Sequence, residues 1–155
     1  MVSEEWIIEK CKEIYSTLGR GYTENIYHKA FETELQSEGI PYETEKIVPI
    51  LYKNRQIGFG RADIVLNDIV IEFKAMIQPP RMSEIEQINN YMINLGVKKG
   101  IIINFGGPSS SQRDTVDTVI VKKENENIPQ ENNQENNQEN IQENIQENIQ
   151  ENENI

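Results

Sequence analysis

Ile7, Cys11, Ile14, Tyr15 and Leu18 recur at helical spacing and give the start of the chain one apolar face. Ser3 precedes that stretch as a candidate N-cap, and Glu4 and Glu5 suit the positive end of a helix. Gly19-Arg20-Gly21 interrupts the pattern. A second helix is expected from near Thr23, a candidate cap, with Tyr27, Ala30, Phe31 and Leu35 along one side and Gly39 as its end. Past Pro41 the texture changes to β-rich runs at roughly Glu45–Tyr52, Gly58–Leu66 and Ile69–Ala75. Lys53-Asn54-Arg55 and Asn67-Asp68 read as the turns between them. A third helix follows from about Ser83, burying Ile85, Ile88, Met92 and Leu95, and Gly96 closes it. Gly100–Phe105 reads as a buried strand and Thr115–Val121 as a last one, joined by a Gly-Gly-Pro and serine loop. The order ααβββαββ predicts an α/β or α+β domain, a mixed sheet flanked by helices.

The pattern stops at Lys123. Beyond it the chain repeats a tetrapeptide, ENNQ twice and ENIQ three times, before ENENI. A strict period of four drifts by about 40° per repeat around an α-helix, and asparagine is a poor helix former. Residues 124–155 are therefore expected to be a disordered acidic tail, and residues 1–123 the only folded domain. This split changes the reading of charge. The formal net charge is −11, but nine glutamates and no basic residue fall in the tail, so the domain itself is near neutral at −2. That is no strongly basic footprint of a non-specific nucleic-acid binder, although a metal ion or a local patch supplies positive charge where it is needed.

Cys11 and His28 are the only cysteine and histidine. This excludes an internal disulfide, a cysteine-based zinc site and chemistries needing several nitrogen or sulfur ligands. Cys11 is expected as a small buried hydrophobe, Trp6 and Tyr27 as packing residues, and His28 as solvated, one step off the apolar stripe. The N-terminus lacks the features of a signal peptide and no apolar run approaches membrane-spanning length, so a soluble, intracellular protein with no membrane association is expected.

The chemistry concentrates in Arg61-Ala62-Asp63 and Glu72-Phe73-Lys74. A two-residue turn at Asn67-Asp68 pairs Leu66 with Ile69 and sets Asp63 opposite Glu72, with Cβ atoms about 4.5–5.5 Å apart. The two-residue period then brings Lys74 to the same face and turns Ile69, Ile71 and Phe73 into the core. Two close carboxylates repel unless a cation sits with them. A hard divalent cation with oxygen ligands, Mg2+ with Mn2+ as its substitute, meets that demand. It would support metal-assisted hydrolysis and neutralise charge on a phosphoryl oxygen, with Lys74 positioning or helping to deprotonate the attacking water. The same geometry also describes a cross-strand acidic pair neutralised by Lys74 or Arg61 on a solvated face. Glu24 alone is an ordinary first-turn acid, and Gln87 and Tyr91 share one helix face as a polar patch.

Four motifs taken together resemble a known group. Gly21-x-x-Glu24-x-x-Tyr27 is similar to the signature of the GxxExxY family within the PD-(D/E)XK nuclease superfamily, which includes restriction endonucleases and RecB-type exonucleases. Asp63 with Glu72-Phe73-Lys74 resembles the superfamily's Asp…(Asp/Glu)-x-Lys pattern. Gln87-x-x-x-Tyr91 resembles the Q-x-x-x-Y element of RecB-type members, and Gly100–Gly106 the strand after that helix. The superfamily's naming proline is absent, since Arg61-Ala62 precedes Asp63. The resemblance spans roughly Ile7 to Val121 and implies a restriction-endonuclease-like αβββαβ core. It further implies Asp63, Glu72 and Glu24 as metal ligands and Lys74 as the residue that orients water. Gln87 and Tyr91 would shape the site or touch the nucleic-acid backbone.

The function expected is a Mg2+-dependent nuclease acting on nucleic acid, DNA more than RNA, in exonuclease fashion. Arg20, the amides from Gly21 onward, Arg61, Arg81, Lys98 and Lys99 are candidate phosphate contacts. The competing readings are a non-catalytic nucleic-acid-binding or accessory module that keeps the site's shape, and an interaction protein acting through the acidic tail.

Overall fold

A computed structural model describes residues 2–108 and 115–123. The tail expected from residue 124 and part of the serine loop lie outside the described residues. The elements run α1 Glu4–Leu18, α2 Glu24–Ser37, β1 Glu43–Tyr52, β2 Arg55–Leu66, β3 Ile69–Lys74, α3 Met82–Leu95, β4 Lys99–Asn104 and β5 Asp117–Lys122. This is the ααβββαββ order that the pattern predicts. The sheet order is β1-β2-β3-β4-β5. All neighbours are antiparallel except β3 and β4, which run parallel because α3 carries the chain back between them.

Local chemistry accounts for most boundaries. Ser3 Oγ accepts the Trp6 amide at 3.2 Å and caps α1. Thr23 stands at the N-cap of α2 in extended conformation, but its side chain makes no cap hydrogen bond. The first hairpin turns more tightly than the sequence suggests. Lys53 and Asn54 both take positive φ, 47° and 62°, so two residues make the turn and Arg55 already pairs with Tyr52. Asn67-Asp68 makes the expected two-residue turn, with Leu66 paired to Ile69, Val65 to Val70 and Ile64 to Ile71. At α3, Glu84 reaches back to accept the Arg81 amide at 2.8 Å.

Both faces of the sheet are covered at its centre, whereas the turn end of the β1–β2 hairpin leaves Leu51, Tyr52, Ile57 and Phe59 exposed. Ile7, Cys11 and Phe31 from α1 and α2 bury Ile64, Leu66, Ile69, Ile71 and Phe73 on one side. Ile88, Tyr91 and Met92 from α3 bury Ala62, Val65, Val70 and Ile102 on the other. Each of these large side chains contributes about 1.5–3 kcal/mol on leaving water. Two glycines let α3 lie close. A Cβ at Gly100 would stand 2.9 Å from Ile88 and Met92, and one at Gly60 would stand 2.5 Å from the Tyr91 ring. Alternation on β2 resets at Asp63. Ala62 packs under α3, whereas Ile64, two residues on, packs under α1 and α2. The β1–β2 ladder pairs Thr44 with Ile64 and Lys46 with Ala62 and skips Glu45 and Asp63 between them. Glu45 there has a φ of 51°. Such irregularities bend a strand and re-aim one side chain. Here that side chain is a carboxylate.

Candidate active site at the carboxyl end of β3

Asp63 and Glu72 meet where the β2–β3 ladder gives way to side chains. The Asp63 amide donates to Glu72 Oε1 at 3.2 Å, and the Phe73 amide donates to Asp63 Oδ2 at 2.8 Å. Each carboxylate thus replaces a ladder carbonyl and is fixed to the neighbouring strand. Glu72 is only 4% exposed. Burial, reinforced by the Asp63 carboxylate and opposed by Lys74, pushes its pKa up to about 8. Burial raises Asp63 as well, against the Phe73 amide and the nearby His28 and Lys74. A buried acidic pair held this way suits an external cation better than it suits isolation. The solvated face of the alternative reading does not hold for Glu72, which is buried.

Lys74 extends the row. Its Nζ lies 3.7 Å from Glu72 Oε2 and 3.4 Å from Gln87 Oε1. Gln87 Nε2 donates to Tyr91 Oη at 3.1 Å, and that oxygen accepts the Arg61 amide at 3.3 Å. Gln87 and Tyr91, one turn apart on α3, therefore lock Lys74 to the backbone beside Asp63. Gly60 makes room for the Tyr91 ring. Gly60→Ala is expected to cost about 1–3 kcal/mol and to cost much less in a Tyr91→Leu background, as a thermal double-mutant cycle would read.

Glu24 enters from α2. Its Oε1 accepts the Ala75 amide at 3.4 Å, just past Lys74. The loop before it is pinned by Tyr27, whose hydroxyl donates to the Gly19 carbonyl at 2.8 Å and accepts the Tyr22 amide at 3.3 Å. The Tyr27 ring is fully buried and stacks on Phe105 at 4.1 Å. Gly21 takes a φ of 100°, which admits glycine most easily. The spacing Gly21-x-x-Glu24-x-x-Tyr27 is thus one turn-and-anchor unit that presents a carboxylate to the end of β3. An open groove of about 410 Å³ runs here, lined by Gly21, Tyr22, Glu24, Ala75 and Pro108 among others. A larger hollow of about 530 Å³ lies beside Asn67 and Trp6, with no titratable side chain among the described residues of its wall.

Several assignments change. His28 is 5% exposed, not solvated, because β1 closes over it and Thr44 Oγ1 sits 3.0 Å from Nε2. Among the described residues, His28, Glu45 and Asp63 are the group whose ligand atoms all lie within 4.8 Å of one another. Glu24, Asp63 and Glu72 surround the same strand ends without meeting that spacing. Lys98 and Lys99 fall at the start of β4, the opposite end of the sheet, and pair with Asp68 and Glu4. Five residues of strand, roughly 16 Å, separate the Lys99 level from that of Lys74. Asn104 is the residue that spacing alone misses. Fully buried, it accepts the Met76 and Gly106 amides and donates to the Met76 and Gln78 carbonyls and to Asp117. It thereby fixes the loop after Lys74. Its only sequence signal is a polar residue ending an apolar run.

No helix among the described residues is long and apolar enough to cross a membrane. No curated protein matches the sequence. A solved structure, that of SSO0001, is similar in part: it is 23% identical, with a TM-score of 0.49 over 63% of this chain and 49% of that one. The chain thus spans about half the length of that structure. The family model described as PD-(D/E)XK nuclease superfamily matches residues 2–116. On that match, which covers most of the chain and every residue of the carboxylate–lysine network, the protein belongs to the PD-(D/E)XK nuclease superfamily.

Proposed function

We propose that residues 1–123 are a divalent-metal-dependent nuclease of the GxxExxY type, cutting phosphodiester bonds of DNA in preference to RNA. The observation that carries this reading is the buried Asp63–Glu72 pair flanked by a Lys74 that two further side chains hold in place. Asp63 and Glu72, with Glu24 approaching from α2, are the residues that would hold Mg2+ or Mn2+. The buried acidic donor set fits such an ion, because burial raises the pKa of both carboxyl groups and a cation beside them would offset that cost. A metal bound there supplies Lewis-acid stabilisation of a phosphoryl oxygen and a more acidic water.

The chain's own groups do the positioning. Lys74, between Glu72 and Gln87, orients a water for attack in line with the departing oxygen. Gln87 and Tyr91 keep the ammonium from swinging out, which is the role assigned here to the Q-x-x-x-Y element. The groove beside Glu24 admits the backbone, with Arg20 on its near loop, Arg61 next to Asp63 and Arg81 at the head of α3 as phosphate contacts. Exonuclease action is the mode assigned, by likeness to RecB-type members.

The test is incubation of end-labelled single- and double-stranded DNA and RNA with the full chain in Mg2+, Mn2+ or EDTA. Metal-dependent loss of DNA with a stepwise ladder from one end is expected, and RNA is expected to survive longer. A folded protein that leaves every substrate intact in both metals overturns the enzyme reading and favours a non-catalytic nucleic-acid-binding module.

A further inference from the structure

The proposed nuclease site uses one side of Asp63 and leaves the other unexplained. There β1 brings Glu45 opposite Asp63 at the break in the ladder, and α2 brings His28 down onto the Phe73 ring, 5.7 Å between centroids. With the Thr44 hydroxyl at Nε2, the imidazole turns Nδ1 toward Glu45 Oε1, 3.6 Å away. A hydrogen-bond acceptor on the far nitrogen orients a ligating histidine, and the Thr44 oxygen stands in that place. The chain's sole histidine is thus 95% buried between two carboxylates, one on each neighbouring strand segment, with all three ligand atoms inside 4.8 Å.

We propose that His28, Glu45 and Asp63 form a divalent-cation position with one nitrogen and two carboxylate ligands, taking Mn2+ or Co2+ in preference to Mg2+. An all-oxygen set suits Mg2+, whereas an imidazole shifts preference toward transition metals. The ligand atoms already lie within 4.8 Å of one another, so a shared ion would need them to draw together only slightly. Arg61 is the competitor, since its guanidinium lies 3.1 Å from Glu45 Oε2. It is exposed and free to turn toward a phosphate once Glu45 takes an ion. The proposal rests on the nuclease reading only in that both use Asp63.

Pulsed EPR of the untagged full chain loaded with Mn2+ reads the nitrogen directly, with calorimetric titration of Mn2+ and Mg2+ beside it. A 14N coupling is expected in the wild type. His28→Gln and Glu45→Gln are each expected to weaken Mn2+ roughly tenfold or more and to leave Mg2+ nearly unchanged. Glu45 is exposed enough that its variant folds even if the His28 variant does not. Mn2+ bound without nitrogen coupling, in a protein that still cleaves DNA, overturns this position and leaves the nuclease reading standing. Nitrogen coupling in a protein that cleaves nothing supports the position and overturns the nuclease. No divalent ion bound at all overturns both.

Discussion

Lys74→Met is expected to lower the rate of cleavage by roughly 10²–10⁴-fold, the range for removing a positioned proton-transfer or charge-stabilising group. Methionine keeps the buried stem of the side chain and deletes only the ammonium, so the fold and the packing beside Gln87 are retained. The loss is expected in kcat, with KM for the oligonucleotide changed by less than about threefold, because the ammonium acts on the reacting centre and not on the distant backbone. Gln87→Ala is expected to fall in the same direction and less far, since it frees Lys74 without removing it. A Lys74→Met rate within threefold of wild type would show that the ammonium only balances the charge of Glu72.

In the metal-free protein, Glu72→Gln is expected to raise stability above pH 8, and with metal added it is expected to abolish cleavage. Folding lifts the Glu72 pKa from an ordinary 4.5 to about 8. The folded state therefore binds the proton more tightly than the unfolded one. Stability from this group is fully present below pH 4.5, falls as pH rises through the interval to about 8, and is absent above it. The carboxamide keeps the acceptor for the Asp63 amide and cannot ionise. Wild type and variant should coincide near pH 5 and separate by roughly 2–4 kcal/mol at pH 8.5. Thermal unfolding in EDTA from pH 5 to 9 reads this difference. Saturating Mn2+ should reverse the order, because the ion stabilises only the carboxylate form. Parallel curves for the two proteins in EDTA would mean that Glu72 is not held in a desolvated pair.

The acidic row was legible in the sequence because a two-residue turn fixes register. Asn67-Asp68 sets Leu66 against Ile69, and the ladder runs as counted out to Ile64 and Ile71. Asp63 and Glu72 come next and meet through side-chain bonds to backbone amides, not as a ladder pair. Ile69, Ile71 and Phe73 do bury on the face opposite Lys74, as a two-residue period requires. Counting did not reveal the phase change at Asp63. That break arises from the β1 partner, where Glu45 takes a positive φ, and no local pattern announces it. The burial of His28 has the same origin, since Thr44 and Glu45 stand sixteen or more residues away along the chain. Helix periodicity marked Gln87 and Tyr91 as neighbours, but only the bare Gly60 beneath the ring explains why Tyr91 reaches the Arg61 amide. Lys98 and Lys99 looked like phosphate contacts by charge alone. Their strand runs parallel to β3, which carries them to the far end of the sheet from Lys74.

The most direct test of the central claim, that the Asp63–Glu72–Lys74 row cuts phosphodiester bonds with a bound metal, compares wild type with Asp63→Ala on end-labelled DNA. Both proteins are first matched for thermal unfolding, then assayed in Mg2+ and in EDTA. Cleavage by wild type in Mg2+ alone, with none by the variant under either condition, is the predicted result. Equal cleavage by the folded variant, or cleavage by wild type that survives EDTA, would contradict it.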